Sequence, residues 1–452
     1  MTLTIRIPAN VADILSKLRR GGFEAFLVGG CVRDALLKIP CEDFDVATNA
    51  RPVDIRRLFP KSRAVGQAFG VMLVNGLEVS TFRNDGTYSD HRHPDSVTYA
   101  DTIEEDLSRR DFTVNAMAFD GENLIDPFGG QKDLESKVIR FVGSARKRIR
   151  EDSLRALRAC RFAAKIDGTI APTSAKAIKD LSHLVDFVSK ERRQQELSKM
   201  LMGPRPEKAL ALTARLGLLP YLFLDLVPSM GCAQPPHHKE DCWEHALLTL
   251  KNARKKDLSF RLACLLHDIA KPLAKAETKD GACTFYNHDI LGEKMVRKAL
   301  KDLKYSNEII DTVAEYTRYH MRPLLFDSHM KDPALQRLIG SLKYISFRDL
   351  IRFMLCDLRG NAYHTGEPFS YTLKITRPIM GRYYRIMKEG RILKLRDLPV
   401  SGEDIMRELH IPPGPAVGEI LGKLYAFALR KPKWATRDKL LAEAKRIAEA
   451  EK

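Results

Sequence analysis

Over roughly the first 140 positions, apolar residues come in short runs separated by turns. FEAFLVGG reads as a strand entering a glycine turn, VRDALLK as the start of a helix, and EDFDVAT as a short strand. VDIRRLF follows as a helix, GVMLVNG and LEVSTFR as a hairpin-like pair, and NAMAFDGENLIDPFGG as a further strand and turn. Strands and helices mixed in this way predict an α/β or α+β unit. From Ile149 onward the spacing becomes helical, as in SLRALRACRFAAKI, RRQQELSKMLMG, DCWEHALLTLKNA and SFRLACLLHDIAKP. MGPRP (202–206) interrupts this series and suggests a boundary, and RDKLLAEAKRIAEAEK closes the chain as a charged amphipathic helix.

The 452 residues are too many for one ordinary core and call for two to four units. No apolar run resembles a membrane span or a secretory signal, so the expected location is the cytoplasm. Eight cysteines without a CxxC pair read as buried reduced thiols. The charge adds more: 75 Lys and Arg against 58 acidic residues leave a formal +17, which favours a polyanionic partner through counterion release.

Two features near the N-terminus carry chemistry. Asp43 and Asp45 lie two apart in EDFDVAT, and the period of a strand puts both carboxylates on one face. That arrangement suits Mg²⁺ completed by substrate phosphates. Upstream, GGCVRD sets Gly29 and Gly30 between a strand and a helix, where backbone N–H groups can approach a triphosphate, with Arg33 as a nearby cation. Taken singly, a DxD is usually a solvated strand face and a Gly pair an ordinary turn; their order and proximity make the combination specific. Glu78 in LEVSTFR is a candidate third carboxylate.

GGCVRD, EDFDVAT, RRDFTVNAMA, DPFGG and EDSLRALR, in that order, closely resemble the class II CCA-adding enzymes and the bacterial poly(A) polymerases related to them. SGEDIMRELHIPPGPAVGEIL is similar to the tail of CCA-adding enzymes that carry an HD domain. The resemblance implies an α+β fold class with a DNA polymerase β-like nucleotidyltransferase head at 1–140 and a helical neck with the base-recognition motif at 141–205. An HD-type helical domain at 206–365 and a helical tRNA-binding tail at 366–452 would follow. It implies addition of C, C and A to the tRNA 3′ end from CTP and ATP without a nucleic-acid template, with Mg²⁺ held by Asp43 and Asp45.

Gly30 and Arg33 are the candidate phosphate contacts of the Gly turn. By the same resemblance Arg109, Arg110, Asp111 and Asn115 bind the nucleotide's ribose and triphosphate, Arg158 is a further nucleotide-binding candidate, and Asp126 lies in a turn that couples head movement to selection. Asp152 and Arg155, three apart and expected on one helix face, would read the Watson–Crick edge of the base; Glu151 and Arg158 flank them. Without the resemblance, the pair would be an intrahelical salt bridge worth a few tenths of a kcal/mol. RNDGTYSDHRHPDSVTY (83–99) reads as a mobile loop, whose length in the family goes with complete CCA addition.

WEHALLTL, LACLLHDIAKP and CDLRGNAYH suggest an HD-type metal site of His245, His267, Asp268 and Asp357, whose donors suit nickel, manganese or iron. His288 and His320 are candidates for a second ion, and His237 and His238, in a Pro-bearing loop, read as solvated. Some relatives with such a domain resemble phosphohydrolases of phosphate or 2′,3′-cyclic phosphate ends. The competing readings are a poly(A) polymerase, an enzyme adding only CC or only A, and an RNA-end phosphohydrolase with a silent head. The HD domain and the tail argue against the first, and the intact Asp43 and Asp45 against the last.

Overall fold

The computed structural model describes residues 5–41, 43–66, 70–86, 96–236, 238–279, 281–325, 332–361, 369–389 and 394–449. Most of the expected loop at 83–99, and His237, lie outside them. The chain divides into two compact units, Met1–Val227 and Pro228–Lys452.

The first unit is built on a mixed sheet. Its strands are β1 (Ala25–Val28), β2 (Asp45–Thr48), β3 (Arg63–Gly66), β4 (Val71–Val74), β5 (Leu77–Thr81), β8 (Ala118–Phe119) and β9 (Leu124–Ile125), in the order β3-β4-β5-β2-β1-β8-β9. The pair β6 (Arg83–Asp85) and β7 (Val97–Tyr99) lies outside it. The GVMLVNG and LEVSTFR segments form the antiparallel pair β4–β5, with Val74 opposite Leu77. Side-chain alternation gives the sheet two buried faces. Leu27, Val46 and Val79 pack on one side with Val11, Ile14 and Leu18 of α1 (Ala9–Arg20) and Ile55 of α3 (Pro52–Leu58). Phe26, Val28 and Ala47 pack on the other with Ile103 and Leu107 of α4 (Ile103–Ser108).

Register then sets the positions that matter. Val28, the last residue of β1, lies opposite Asp45, the first residue of β2. The chain leaves β1 through Gly29, which has φ +73°, into α2 (Gly30–Leu36). The turn and the carboxylate are therefore neighbours. Asp43 precedes the strand rather than lying in it; buried Phe44 between the two aspartates keeps the alternation.

Two short helices, α5 (Gly130–Glu135) and α6 (Ala145–Glu151), precede the expected α7 (Leu154–Lys165), α8 (Pro172–Asp180), α9 (Lys190–Met202) and α10 (Pro206–Arg215). MGPRP does separate α9 from α10. However, α10 packs back onto α7 and α9, so the segment after the break stays with the first unit, and the division falls at Val227/Pro228 instead of at 205/206.

The second unit is helical: α11 (Cys242–Lys251), α12 (Leu258–Leu266), α13 (Lys271–Ala274), α14 (His288–Asp302), α15 (Asn307–Tyr319), α16 (Asp332–Ser341), α17 (Phe347–Gly360) and α18 (Phe369–Lys388). Then α19 (Gly402–Leu409), α20 (Pro415–Arg430) and α21 (Arg437–Glu449) close a small core of their own around Ile405, Leu424 and Leu440. All eight cysteines are unpaired, and all but the half-exposed Cys41 are buried. Among the described residues no helix is long and apolar enough to cross a membrane.

Candidate active site and a second candidate metal centre

A cavity of about 540 Å³ in the first unit gathers Gly30, Arg33, Asp43, Asp45, Arg109, Arg110, Asp111, Asn115, Asp152, Arg155 and Arg158. With Arg161, Lys165 and Arg192 included, its lining holds eight cations against four carboxylates, a balance that suits a polyphosphate.

The Gly29 turn favours glycine chiefly through its backbone φ of +73°, and a Cβ there would lie 2.8 Å from Arg110 Nη1. Asp45 has its carboxyl pushed above the usual range by burial and by Asp43, with Glu78 adding to the effect and Arg110 opposing it. Glu78 lies on β5, one residue before Val79, the partner of Val46, so it shares Asp45's face of the sheet. Three carboxylates at the start of two adjacent central strands, with a single arginine acting against them, are a fit for a divalent cation.

The RRD arginines are held from behind by Asp106, which is fully buried. It accepts from Arg109 Nε at 3.0 Å and Nη2 at 2.6 Å, and from Arg110 Nη2 at 3.3 Å. Burial works against its ionisation, but the two guanidiniums outweigh that and lower its pKa. Asp111 accepts a two-pronged bond from Arg158, Nε at 2.9 Å and Nη2 at 2.6 Å, and one from Asn115 Nδ2 at 3.1 Å. Its pKa too is lowered against the effect of burial, Arg158 being the main cause. Arg33 donates to Asn115 Oδ1 at 2.5 Å and to Asp34 at 2.9 Å, so this expected phosphate-facing cation is anchored within the network. Asp126 caps α5, accepting from Gly130 N at 2.7 Å and Gln131 N at 2.9 Å.

EDSLRALR is not one continuous helix. Asp152 is extended (φ −146°, ψ 104°) at the break between α6 and α7, so Asp152 and Arg155 are not paired on a helix face. Each has its own partner. Arg155 Nη1 donates to Glu151 Oε2 at 2.6 Å, and Arg148 Nη1 reaches the same oxygen at 2.7 Å. Asp152 is gripped by Arg192 of α9, Nη1 to Oδ1 at 3.1 Å and Nη2 to Oδ2 at 2.8 Å.

In the second unit, six side chains converge. His245 and His267 bring their Nε2 atoms to 3.3 Å, and Asp357 Oδ1 is 2.8 Å from the former and 3.5 Å from the latter. His288 and His320 bring theirs to 3.2 Å. Asp268 lies between the pairs: Oδ2 is 3.1 Å from His267, and Oδ1 is 3.4 Å from His288 and 3.6 Å from His320. Three of the histidines tie Nδ1 to a backbone carbonyl, of Cys264, Phe285 and Thr317 at 3.2, 2.7 and 2.8 Å, which turns Nε2 inward. Both Asp268 oxygens are buried without an aligned hydrogen bond, although Lys271 Nζ approaches Oδ2 at 2.7 Å. Orphaned carboxylate oxygens facing crowded imidazole nitrogens are a donor set for transition metals. Burial disfavours the imidazolium of His267, yet Asp268 and Asp357 outweigh it and raise the pKa to about 10.

His238 corrects the expectation of a solvated side chain: it is half-buried, its Nδ1 2.7 Å from Glu240 Oε1, and Glu240 also lies 3.4 Å from His245 Nδ1. Sequence reasoning also missed Arg161 and Lys165, although their spacing after Arg155 and Arg158 marks one face of α7. Asp106 sits one turn before the RRD arginines, a signal the motif hides. Arg192 has no local signal.

Comparison with known proteins places this geometry. Residues 25–140 match the poly(A) polymerase head domain, 169–230 the probable RNA and SrmB-binding site of polymerase A, and 242–342 the HD domain. A CCA-adding enzyme of Ligilactobacillus salivarius is 30% identical over 423 residues, 91% of this chain and 89% of the relative. That of Geobacillus thermodenitrificans is 47% identical over 214 residues, 46% of this chain and about half (53%) of the relative's length. The crystal structure of Bacillus stearothermophilus CCA-adding enzyme in complex with CTP is 27% identical, covers 98% of both chains and superposes with a TM-score of 0.71. The head fold is that of a nucleotidyltransferase, extended by an HD domain. The chain belongs to the family of CCA-adding enzymes.

Proposed function

We propose that the protein completes tRNA 3′ ends by adding C, C and A from CTP and ATP without a nucleic-acid template, in the cytoplasm. The observation that carries this reading is the single cavity in which a carboxylate edge, an arginine cluster and the Asp152–Arg155 segment meet. Asp43 and Asp45 would hold magnesium, which when bound lowers the pKa of the attacking 3′-OH and offsets charge on the leaving pyrophosphate. Arg109 and Arg110, fixed by Asp106, bind the triphosphate and keep it in line with the primer. Arg158 and Asn115, joined through Asp111, hold the neighbouring wall of the cavity. Asp152 accepts the exocyclic amine of cytosine or adenine, and Arg155 donates to the adjacent ring nitrogen. Uracil and guanine invert that pattern and leave buried groups unpaired. The tail helices and the basic excess of the chain favour tRNA backbone as the partner.

The test is to supply tRNA lacking CCA with each nucleotide alone and in pairs, and to sequence the products. CCA ends from CTP plus ATP support the reading; A tracts on unrelated RNAs, or CC or A alone, would replace it with a relative's activity. Asp152→Ala is expected to raise UTP and GTP use relative to CTP by about five- to hundred-fold, since a missing buried hydrogen bond costs about 1–3 kcal/mol. Unchanged selectivity in a folded, active variant would remove the base-reading role.

The histidine–aspartate centre favours a second reading for the second unit: a metal-dependent phosphohydrolase acting on phosphate or cyclic phosphate ends. Its support is the donor set around Asp268.

A further inference from the structure

We infer that Arg192, outside every motif of the head and neck, is a specificity-determining positioning residue that fixes Asp152 as an acceptor with one open site. The inference rests on the base-reading role proposed for Asp152. It goes beyond that role by naming what enforces it.

A carboxylate offers about four lone-pair positions, two on each oxygen. On Asp152 Oδ1, both are taken: Leu154 N donates at 3.1 Å and Arg192 Nη1 at 3.1 Å. On Oδ2, Arg192 Nη2 takes one at 2.8 Å. Among the described residues no other group bonds to this carboxylate. One acceptor position remains, on Oδ2, and Asp152 lines the cavity. Its side chain is 17% exposed and that of Arg192 20%, so the pair is screened from bulk water on most sides.

The consequence is geometric. A fork of two N–H bonds stops a carboxylate from rotating about its last torsion, whereas a single bond does not. With both prongs in place, one acceptor is presented in one orientation, which suits the single amine N–H that cytosine and adenine offer beside a ring acceptor. Without them, Asp152 would keep only the Leu154 N–H. It could then turn to meet the N3–H of uracil or the N1–H and amine of guanine. Arg192 comes from α9, whereas Asp152 lies at the break just before α7, so the packing of α9 on α7 is part of the selection device.

The test uses the full-length protein and tRNA lacking CCA. kcat/KM is measured for all four nucleotides with wild type, Arg192→Gln and Arg192→Lys, alongside thermal unfolding. The expected result is a rise of about fivefold or more in UTP and GTP use relative to CTP for Arg192→Gln. Arg192→Lys should recover thermal stability, because it restores the charge, but should stay permissive, because an ammonium has no planar fork. Wild-type selectivity in either folded variant overturns the inference, as does a lysine variant that recovers selectivity and stability together. If Arg192→Gln fails to fold, the lysine variant alone decides. A wild-type protein that does not add C and A to tRNA would instead overturn the proposed function, so the two failures are distinguishable.

Discussion

Replacing Asp43 or Asp45 with alanine is expected to lower C and A addition by roughly 10³- to 10⁴-fold, because a metal-holding carboxylate supplies several kcal/mol of transition-state stabilisation. The folded state should not suffer with it. Asp43 is exposed, and Asp45 is a carboxyl that burial, Asp43 and Glu78 all push toward its neutral form. Removing either carboxylate relieves like-charge repulsion at the start of β2, so the thermal midpoint should hold or rise. The nonpolar replacement at Asp45 begins a strand whose next residues, Val46 and Ala47, are already fully buried. Steady-state addition to tRNA lacking CCA, with a parallel melt, checks both halves. Activity and stability falling together would mean that the pair has a structural role. Near-normal turnover in a folded variant would remove the metal assignment altogether.

The parts of this site that could be read from the chain are those whose geometry is local. Period-two alternation places Asp43 and Asp45 on one side of Phe44 whether or not the strand formally includes both. A glycine pair between strand and helix marks a tight turn, and the register of β1 against β2 turns that into contact with Asp45. Non-local partners could not be read in this way. EDSLRALR holds no Gly or Pro to mark a break at Asp152, so helix spacing places Asp152 and Arg155 on one face. The break appears because Asp152 leaves the helix to accept Leu154 N and the Arg192 fork, and Arg192 is forty positions away in the chain. His238 differs from its sequence expectation for the same kind of reason. A polar loop beside prolines reads as exposed, but Glu240, itself 5% exposed, draws His238 in to 2.7 Å beside His245.

The second unit allows an equally sharp outcome. Stripping the protein with a chelator and restoring magnesium alone is expected to recover nucleotide addition; restoring nickel, manganese or iron is expected to recover hydrolysis of a 2′,3′-cyclic phosphate end. His267→Gln and Asp268→Asn should lose transition-metal binding and that hydrolysis by two orders of magnitude or more, in line with about 10–100-fold for disturbing only an outer-shell partner. The basis is the division of labour at Asp268, whose Oδ2 faces His245 and His267 while Oδ1 faces His288 and His320. Neutralising that residue removes a donor from both pairs at once, whereas His267→Gln disturbs one pair first. Metal content per chain by elemental analysis should therefore fall further in Asp268→Asn than in His267→Gln. Asp268→Asn also removes the negative charge that balances buried Lys271, whose Nζ lies 2.7 Å from Asp268 Oδ2 and donates to Gln234 Oε1 at 2.7 Å, so a moderate loss of stability should accompany it. Nucleotide addition should persist in both variants, because Asp43 and Asp45, the carboxylates proposed to serve it, lie in the other unit. Equal metal content in wild type and both folded variants would show that these six side chains are a hydrogen-bonded core and not a metal centre.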